Sequence, residues 1–172
     1  VYKVMNEHET VVYQFRQEAF TFLGIENILS ESSDFGYFWN HFFSVGGYDK
    51  ILPYAVDPKP INVWYTKDTG DRIYFQGLMI ENVDEVPDEY TLAKFPASDF
   101  LVVTHEWVST NEEALSYGID AGWKNIKTVQ MPDGYFRNDG PGCPITVIEK
   151  ENCDTPEGSR YEFWVPIKKV EE

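Results

Sequence analysis

Basic residues, cysteines and long apolar runs are all in short supply in this chain of 172 residues, and each shortage closes off a class of proteins. There are 14 Lys and Arg against 29 Asp and Glu, a formal net charge of −15. Nucleic-acid binding rests on Lys and Arg that neutralise phosphates, so no nucleic acid is expected to bind through this chain. Two cysteines, Cys143 and Cys153, are too few for a secreted disulfide scaffold, and neither belongs to a Cys-x-x-Cys motif. Cys143 has no base beside it in sequence and reads as a structural thiol rather than a nucleophile. The histidines, His8, His41 and His105, are scattered without metal-ligand spacing, and no Gly-x-Gly-x-x-Gly or phosphate-loop pattern occurs. Neither a metal nor a cofactor is expected. No signal peptide and no apolar run near 18 residues is visible, so the expected location is the cytoplasm and no membrane partner is expected. The first residue is Val1 rather than Met, which fits a trimmed chain or a piece of a longer protein.

What the chain does have is aromatic residues: 12 Phe, 11 Tyr and 5 Trp. Most must serve the core, because aromatics carry the largest buried areas. The surplus fits a ligand pocket, whose walls are typically apolar and aromatic. The acidic excess either serves solubility alone or attracts cationic small molecules. The length suits one domain, large enough to hold a core without disulfides or metal.

After a polar leader through Glu9, Thr10 to Phe15 and Ala19 to Ile25 read as strands rich in β-branched and aromatic residues. Asp34 is placed to cap a helix whose apolar face is Phe35, Phe38, Trp39, Phe42 and Phe43, closed by Gly46 and Gly47. Ile61 to Tyr65 and Ile73 to Ile80 follow as strands around a turn at Asp68-Thr69-Gly70. The acidic stretch Val83 to Glu89 carries Pro87 and no periodicity, and reads as a linker. The pattern then restarts. Tyr90 to Phe95 and Asp99 to Thr104 read as strands, and Thr110 with Glu113 makes a capping box. The helix it opens shows Leu115, Ile119, Trp123 and Ile126 on one face, and Pro132 and Gly134 close it. Ile145 to Glu149 and Arg160 to Ile167 complete the chain.

The order strand, strand, helix, strand, strand thus occurs twice, in repeats of about 10–82 and 90–169 within a single domain spanning 1–172. Local identities support the duplication. Phe22-Leu23 matches Phe100-Leu101, Ile61-Asn62-Val63 matches Ile145-Thr146-Val147, and Arg72 matches Arg160. The offsets are 78, 84 and 88 residues respectively. The fold class expected is α+β: two pseudo-symmetric strand-helix-strand-strand repeats with antiparallel sheet and a ligand cleft between the halves.

The run Arg160-Tyr161-Glu162-Phe163-Trp164-Val165-Pro166-Ile167-Lys168 resembles the C-terminal strand of GyrI-like domains. Phe38-Trp39-Asn40-His41-Phe42, Ile61-Asn62-Val63-Trp64-Tyr65, Tyr74-Phe75-Gln76-Gly77 and Pro132-Asp133-Gly134-Tyr135 resemble other parts of the same family, from about Thr10 to Lys169. The family includes effector-binding domains of AraC-type and MerR-type regulators and integron-associated binding proteins. The resemblance implies paired strand-helix-strand-strand units with a cationic, hydrophobic compound held between them by a strand glutamate, which falls on Glu162. The second half has His105-Glu106-Trp107 where the family has Gly-Pro, so the rim of the pocket differs.

Strand alternation sets Glu162 and Trp164 on one face and Tyr161, Phe163 and Val165 on the other. A carboxylate beside an indole seats a cation by charge and by cation–π attraction; the alternative is a solvent-facing strand residue. Trp39 and Trp123 serve either as pocket lining or as plain core. Tyr74, 88 residues before Glu162, is drawn to the cleft by the repeat, and Tyr65 and Trp107 complete the candidate ligand-binding set. No catalytic residue is assigned. The function expected is binding of a small, cationic, aromatic or hydrophobic molecule, as a sensor or sequestering domain in transcription regulation. Any DNA-binding part would lie elsewhere in a longer protein. The alternatives that the resemblance opens are a hydrolase of reactive cyclopropane-containing compounds with Glu162 as base, and a gyrase-inhibitor-like protein-binding domain.

Overall fold

A computed structural model describes residues 8–171 of the chain; most of the polar leader expected before Thr10 lies outside the described residues. Its strands are β1 (Thr10–Gln17), β2 (Phe20–Ile28), β3 (Ile61–Thr66), β4 (Arg72–Ile80), β5 (Thr91–Phe95), β6 (Ser98–His105), β7 (Tyr135–Arg137), β8 (Val147–Thr155) and β9 (Gly158–Lys169). Its helices are α1 (Phe35–Val45) and α2 (Asn111–Thr128). The fold is α+β, as expected, with one antiparallel sheet in the order β1-β6-β9-β8-β3-β4-β2-β5, and β7 added on β9.

The strand order is symmetric about the β8–β3 seam, and the symmetry exchanges the first strand of each repeat. β1 pairs with β6 of the second half, and β5 pairs with β2 of the first. β1 and β2 are separated by only Glu18 and Ala19, yet they lie near opposite ends of the strand order. Two intervening residues span roughly 11 Å at full stretch, so the sheet must curl until its ends approach each other. Inside the curl, Phe22, Phe75, Phe100 and Trp164 from both halves form one core cluster. The helices cover the outer face.

The helices form for the reasons visible in sequence. Asp34 accepts a bond from the Tyr37 amide at 3.2 Å and Thr110 Oγ1 from the Glu113 amide at 3.1 Å, each satisfying a free amide of the first turn. The Glu113 carboxylate meets His8 Nε2 at 3.0 Å. α1 ends where Gly46 takes a φ of 138°, a conformation open mainly to glycine. Of its five aligned aromatics, Phe38 and Phe42 are buried, while Phe35 and Phe43 stay largely exposed. α2 sits close on the sheet through Gly118 and Gly122. A Cβ on Gly122 would stand 2.0 Å from the Phe163 ring, and one on Gly118 would stand 2.5 Å from Tyr161 Cβ.

Two differences from the sequence reading matter. Tyr135–Arg137, just beyond the Pro132 and Gly134 expected to close the second helix and not read as a strand, pairs with β9. The penultimate strand begins at Val147 and runs on through the polar residues Lys150, Glu151 and Asn152, held by their pairing with β9.

Register also corrects the repeat. Asn62 pairs with Gln76, and Glu149 with Phe163, so one offset of 87 (149 less 62, 163 less 76) superposes both hairpins. Asn62 and Glu149 pair with each other across the seam, which places the pseudo-twofold axis between them. The offset of 78 read from Phe22 and Phe100 agrees with the ladders: Phe22 pairs with Met79, and Phe100 with Pro166. The offsets of 84 and 88 read from Ile61 and Arg72 do not. They are even where the register is odd, and a one-residue slip turns every side chain to the opposite face.

Candidate functional site

Between α1 and α2, over the middle of the sheet, lies a cleft of about 590 Å³. Its floor is Asn62 and Trp64 of β3, Tyr74 of β4, Glu149 and Glu151 of β8, and Tyr161 of β9. Phe35, Trp39 and Phe43 wall it on the α1 side with Tyr48, and Leu115, Ile119 and Trp123 wall it on the α2 side. The rings are mutually braced: Trp64 meets Tyr74 at 4.7 Å between centroids and Trp123 at 5.2 Å, and Phe35 meets Tyr74 at 5.1 Å. The volume falls in the range of small-molecule pockets. A wider groove of about 1000 Å³, bordered by Lys67, Asp68, Arg72, Lys94 and Asp139, carries charges of both signs. The cleft between the helices is the apolar site with convergent carboxylates, and the chemistry belongs there.

Glu149 is 4% exposed at the centre of the floor. Its Oε2 accepts from Trp64 Nε1 at 2.5 Å and its Oε1 from the Tyr161 hydroxyl at 2.9 Å. Burial pushes its pKa upward, opposed by these bonds and by the Asn62 side chain. Glu151 lies two residues along the same strand face. Burial, together with the charge of Glu149, raises its pKa to about 7, and its carboxylate accepts no hydrogen bond among the described residues. Burial and the same carboxylates hold the Tyr161 and Tyr74 phenols well above their ordinary range. No Lys, Arg or His is among the lining residues. The cleft is thus a largely apolar aromatic space with two carboxylates and no built-in countercharge, an arrangement that costs free energy until a cation or a proton enters.

Of the residues singled out in sequence, Trp39, Tyr74 and Trp123 come together in this cleft. Glu162 and Trp164 lie on the opposite, inner face of the sheet. Glu162 is 2% exposed and saturated: Asn152 Nδ2 and Arg160 Nε donate to its Oε2, each at 2.9 Å, and Trp164 Nε1 donates to its Oε1 at 3.0 Å. Trp107 lies against Arg160 in that same network, with the guanidinium 4.0 Å from its ring centroid. Tyr65 faces the wider groove and donates to Glu26 at 3.0 Å. The physical reason is parity. Tyr74 corresponds to Tyr161 rather than to Glu162, so the cleft face of β9 carries the odd-numbered residues.

The cleft residues that sequence reasoning passed over are Tyr48, Asn62, Trp64, Glu149, Glu151 and Tyr161. The alternation Glu149-Lys150-Glu151 was the available signal: two carboxylates on one face, with the lysine turned away to Asp57 at 2.8 Å.

Comparison with known proteins bears on the family and the fold. The family model for integron-associated effector binding proteins matches residues 16–167. No curated protein matches the sequence. Among solved structures, SAV2435 bound to tetraphenylphosphonium is similar at a TM-score of 0.65 and 13% identity, with 92% of this chain and 94% of that one covered. A putative bacterial transcription regulation protein from Staphylococcus aureus MU50 gives 0.60 and 14%, over 94% of this chain and 99% of that one. An integron cassette protein from the mobile metagenome of Vibrio cholerae gives 0.56 and 10%, over 91% and 95%. At these identities the likeness shows a shared fold.

Proposed function

The chain belongs to the family of integron-associated effector binding proteins, and from that premise we propose that its cleft binds a cationic, largely apolar small molecule, as a sensor or sequestering module. The observation that carries the reading is the lining: two carboxylates, eight aromatic rings and no basic side chain around about 590 Å³. A carboxylate in such a space gains most from a cation, and the rings add cation–π attraction of roughly 0.5–2 kcal/mol. The tetraphenylphosphonium bound to SAV2435, a structure of similar fold, supports the same ligand chemistry. The assignment of Glu162 as the contact is replaced by Glu149 and Glu151, because Arg160 already neutralises Glu162. With a net charge of −15, the chain is not proposed to bind duplex DNA.

A matched pair of ligands tests the reading. Calorimetric titration with 1-(aminomethyl)-4-methylnaphthalene, a cation at neutral pH, is expected to show binding about ten- to a hundredfold tighter than the neutral 1-(hydroxymethyl)-4-methylnaphthalene, the range for a charge-assisted hydrogen bond. The double variant Glu149→Gln/Glu151→Gln should bind both alike. Equal affinity for the two compounds in the unmodified protein would refute a cation site.

A further inference from the structure

We propose that the cleft is built for a dication: an aromatic ligand with two cationic groups about 7 Å apart, one for Glu149 and one for Glu151. The inference rests on the cation reading above and sharpens it to a ligand class. Glu149 and Glu151 alternate around Lys150 on β8, so their side chains leave the same face two residues apart, at about 3.4 Å per residue along the strand. Both line the cavity, whose other lining residues include no Lys, Arg or His. No ion pair of the described residues involves either of them, whereas Lys150 pairs with Asp57 and Arg160 with Glu162 on the other face.

The two carboxylates are not equivalent. Glu149 sits on the pseudo-twofold axis, fixed by Trp64 and Tyr161. Glu151 has no such support, and Tyr48, whose buried hydroxyl has no partner among the described residues, lines the same cleft within reach of its field. A monocation on Glu149 leaves the half-buried Glu151 uncompensated, which favours a proton there. A second cationic group removes that demand and also finds the Tyr48 hydroxyl as a polar neighbour. Trp39, Trp64, Tyr74 and Trp123 supply faces for the aromatic spacer between the charges.

The test adds one compound to the pair above, 1,4-bis(aminomethyl)naphthalene, whose two ammonium groups lie across one ring. At pH 8, above the value of about 7 to which Glu151 is raised, the diamine is expected to bind at least thirtyfold tighter than the monoamine. Lowering the pH to 6 should shrink that ratio, as a proton takes over one site. Glu151→Gln should bring the diamine to within about threefold of the monoamine. If the monoamine outbinds the alcohol but the diamine gains less than threefold over it in the unmodified protein, the two-charge inference is overturned and the cation reading stands. If neither amine outbinds the alcohol, both fall. The comparison in the unmodified protein needs no variant to fold.

Discussion

Replacing Glu151 with glutamine should make the protein more stable at alkaline pH and leave it almost unchanged in mild acid. In the folded chain, burial and the neighbouring Glu149 raise Glu151 from its ordinary 4.5 to about 7. The folded state therefore holds a proton that the unfolded state has released throughout that interval. Stability falls as pH climbs wherever the folded state binds more protons, so the contribution of Glu151 is most favourable below pH 4.5 and is lost as pH rises through 7. At about 1.4 kcal/mol per pH unit the interval corresponds to an upper bound of about 3 kcal/mol. Contact with solvent at the cleft mouth screens part of this, leaving about 1–2 kcal/mol. Glutamine keeps the volume and removes the titration. At roughly 2–4 °C per kcal/mol for a chain of this size, Glu151→Gln should raise the melting temperature by about 2–8 °C at pH 8 and by much less at pH 4.5. Differential scanning calorimetry at pH 4.5, 6, 7 and 8 reads the effect directly. A shift that is the same at every pH, or a loss of stability at pH 8, would refute the reasoning, because it would mean that the Glu151 carboxylate is not strained by its surroundings.

Other outcomes follow from the same geometry. Diamine binding should expel a proton from Glu151 near pH 7, so its binding enthalpies in buffers of different ionisation heat should differ, and diamine affinity should rise from pH 6 to 8. Glu162→Gln should cost about 3–5 kcal/mol of stability in urea titrations, because it strands the Arg160 guanidinium in the interior, while the preference of the cleft for amine over alcohol survives. Gly122→Ala should destabilise by about 1–3 kcal/mol despite the better helix propensity of alanine, since its Cβ would enter the fully buried Phe163 ring; a neutral result in thermal melts would show that α2 can lift away. Thr110→Ala should cost about 1 kcal/mol through the lost cap on Glu113 N.

The architecture was legible because its signals are local. Caps at Asp34 and Thr110, the helical spacing of Phe38 and Phe42, the acidic break at 83–89 and the doubled element order each depend on a few neighbouring residues, and each reappears in the structure. The cleft was harder to read because it depends on register, which belongs to two strands at once. Short identities at Ile61 and Arg72 gave even offsets, while the hydrogen-bond ladders set an odd one, so Tyr74 was matched to Glu162 where the ladders match it to Tyr161. The polar run Lys150-Glu151-Asn152 lies beyond the strand expected at Ile145 to Glu149, for want of apolar residues. Its strand character comes from the pairing of Lys150 with Glu162 and of Glu151 with Tyr161, partners a single-strand pattern does not contain. Trp39, Tyr74 and Trp123 reached the cleft because an aromatic on the helix-facing side of either repeat converges on the same axis.

The exchange of β1 and β5 gives the duplication a consequence for how the molecule comes to exist at all. Each half carries the strand that finishes the other's sheet, so a half made alone would expose bare backbone along β2 or β6, an edge inclined to pair with whatever strand it meets. Neither half is a self-sufficient folding unit, and synthesis of the first must wait for the second before its edge is covered. The same pairings are open to two copies of one half, each lending its first strand to the other. Half of this chain, paired in that way, would make an interlocked dimer with a cleft on its symmetry axis, whereas in the joined chain the two floor positions nearest that axis, Asn62 and Glu149, are free to differ.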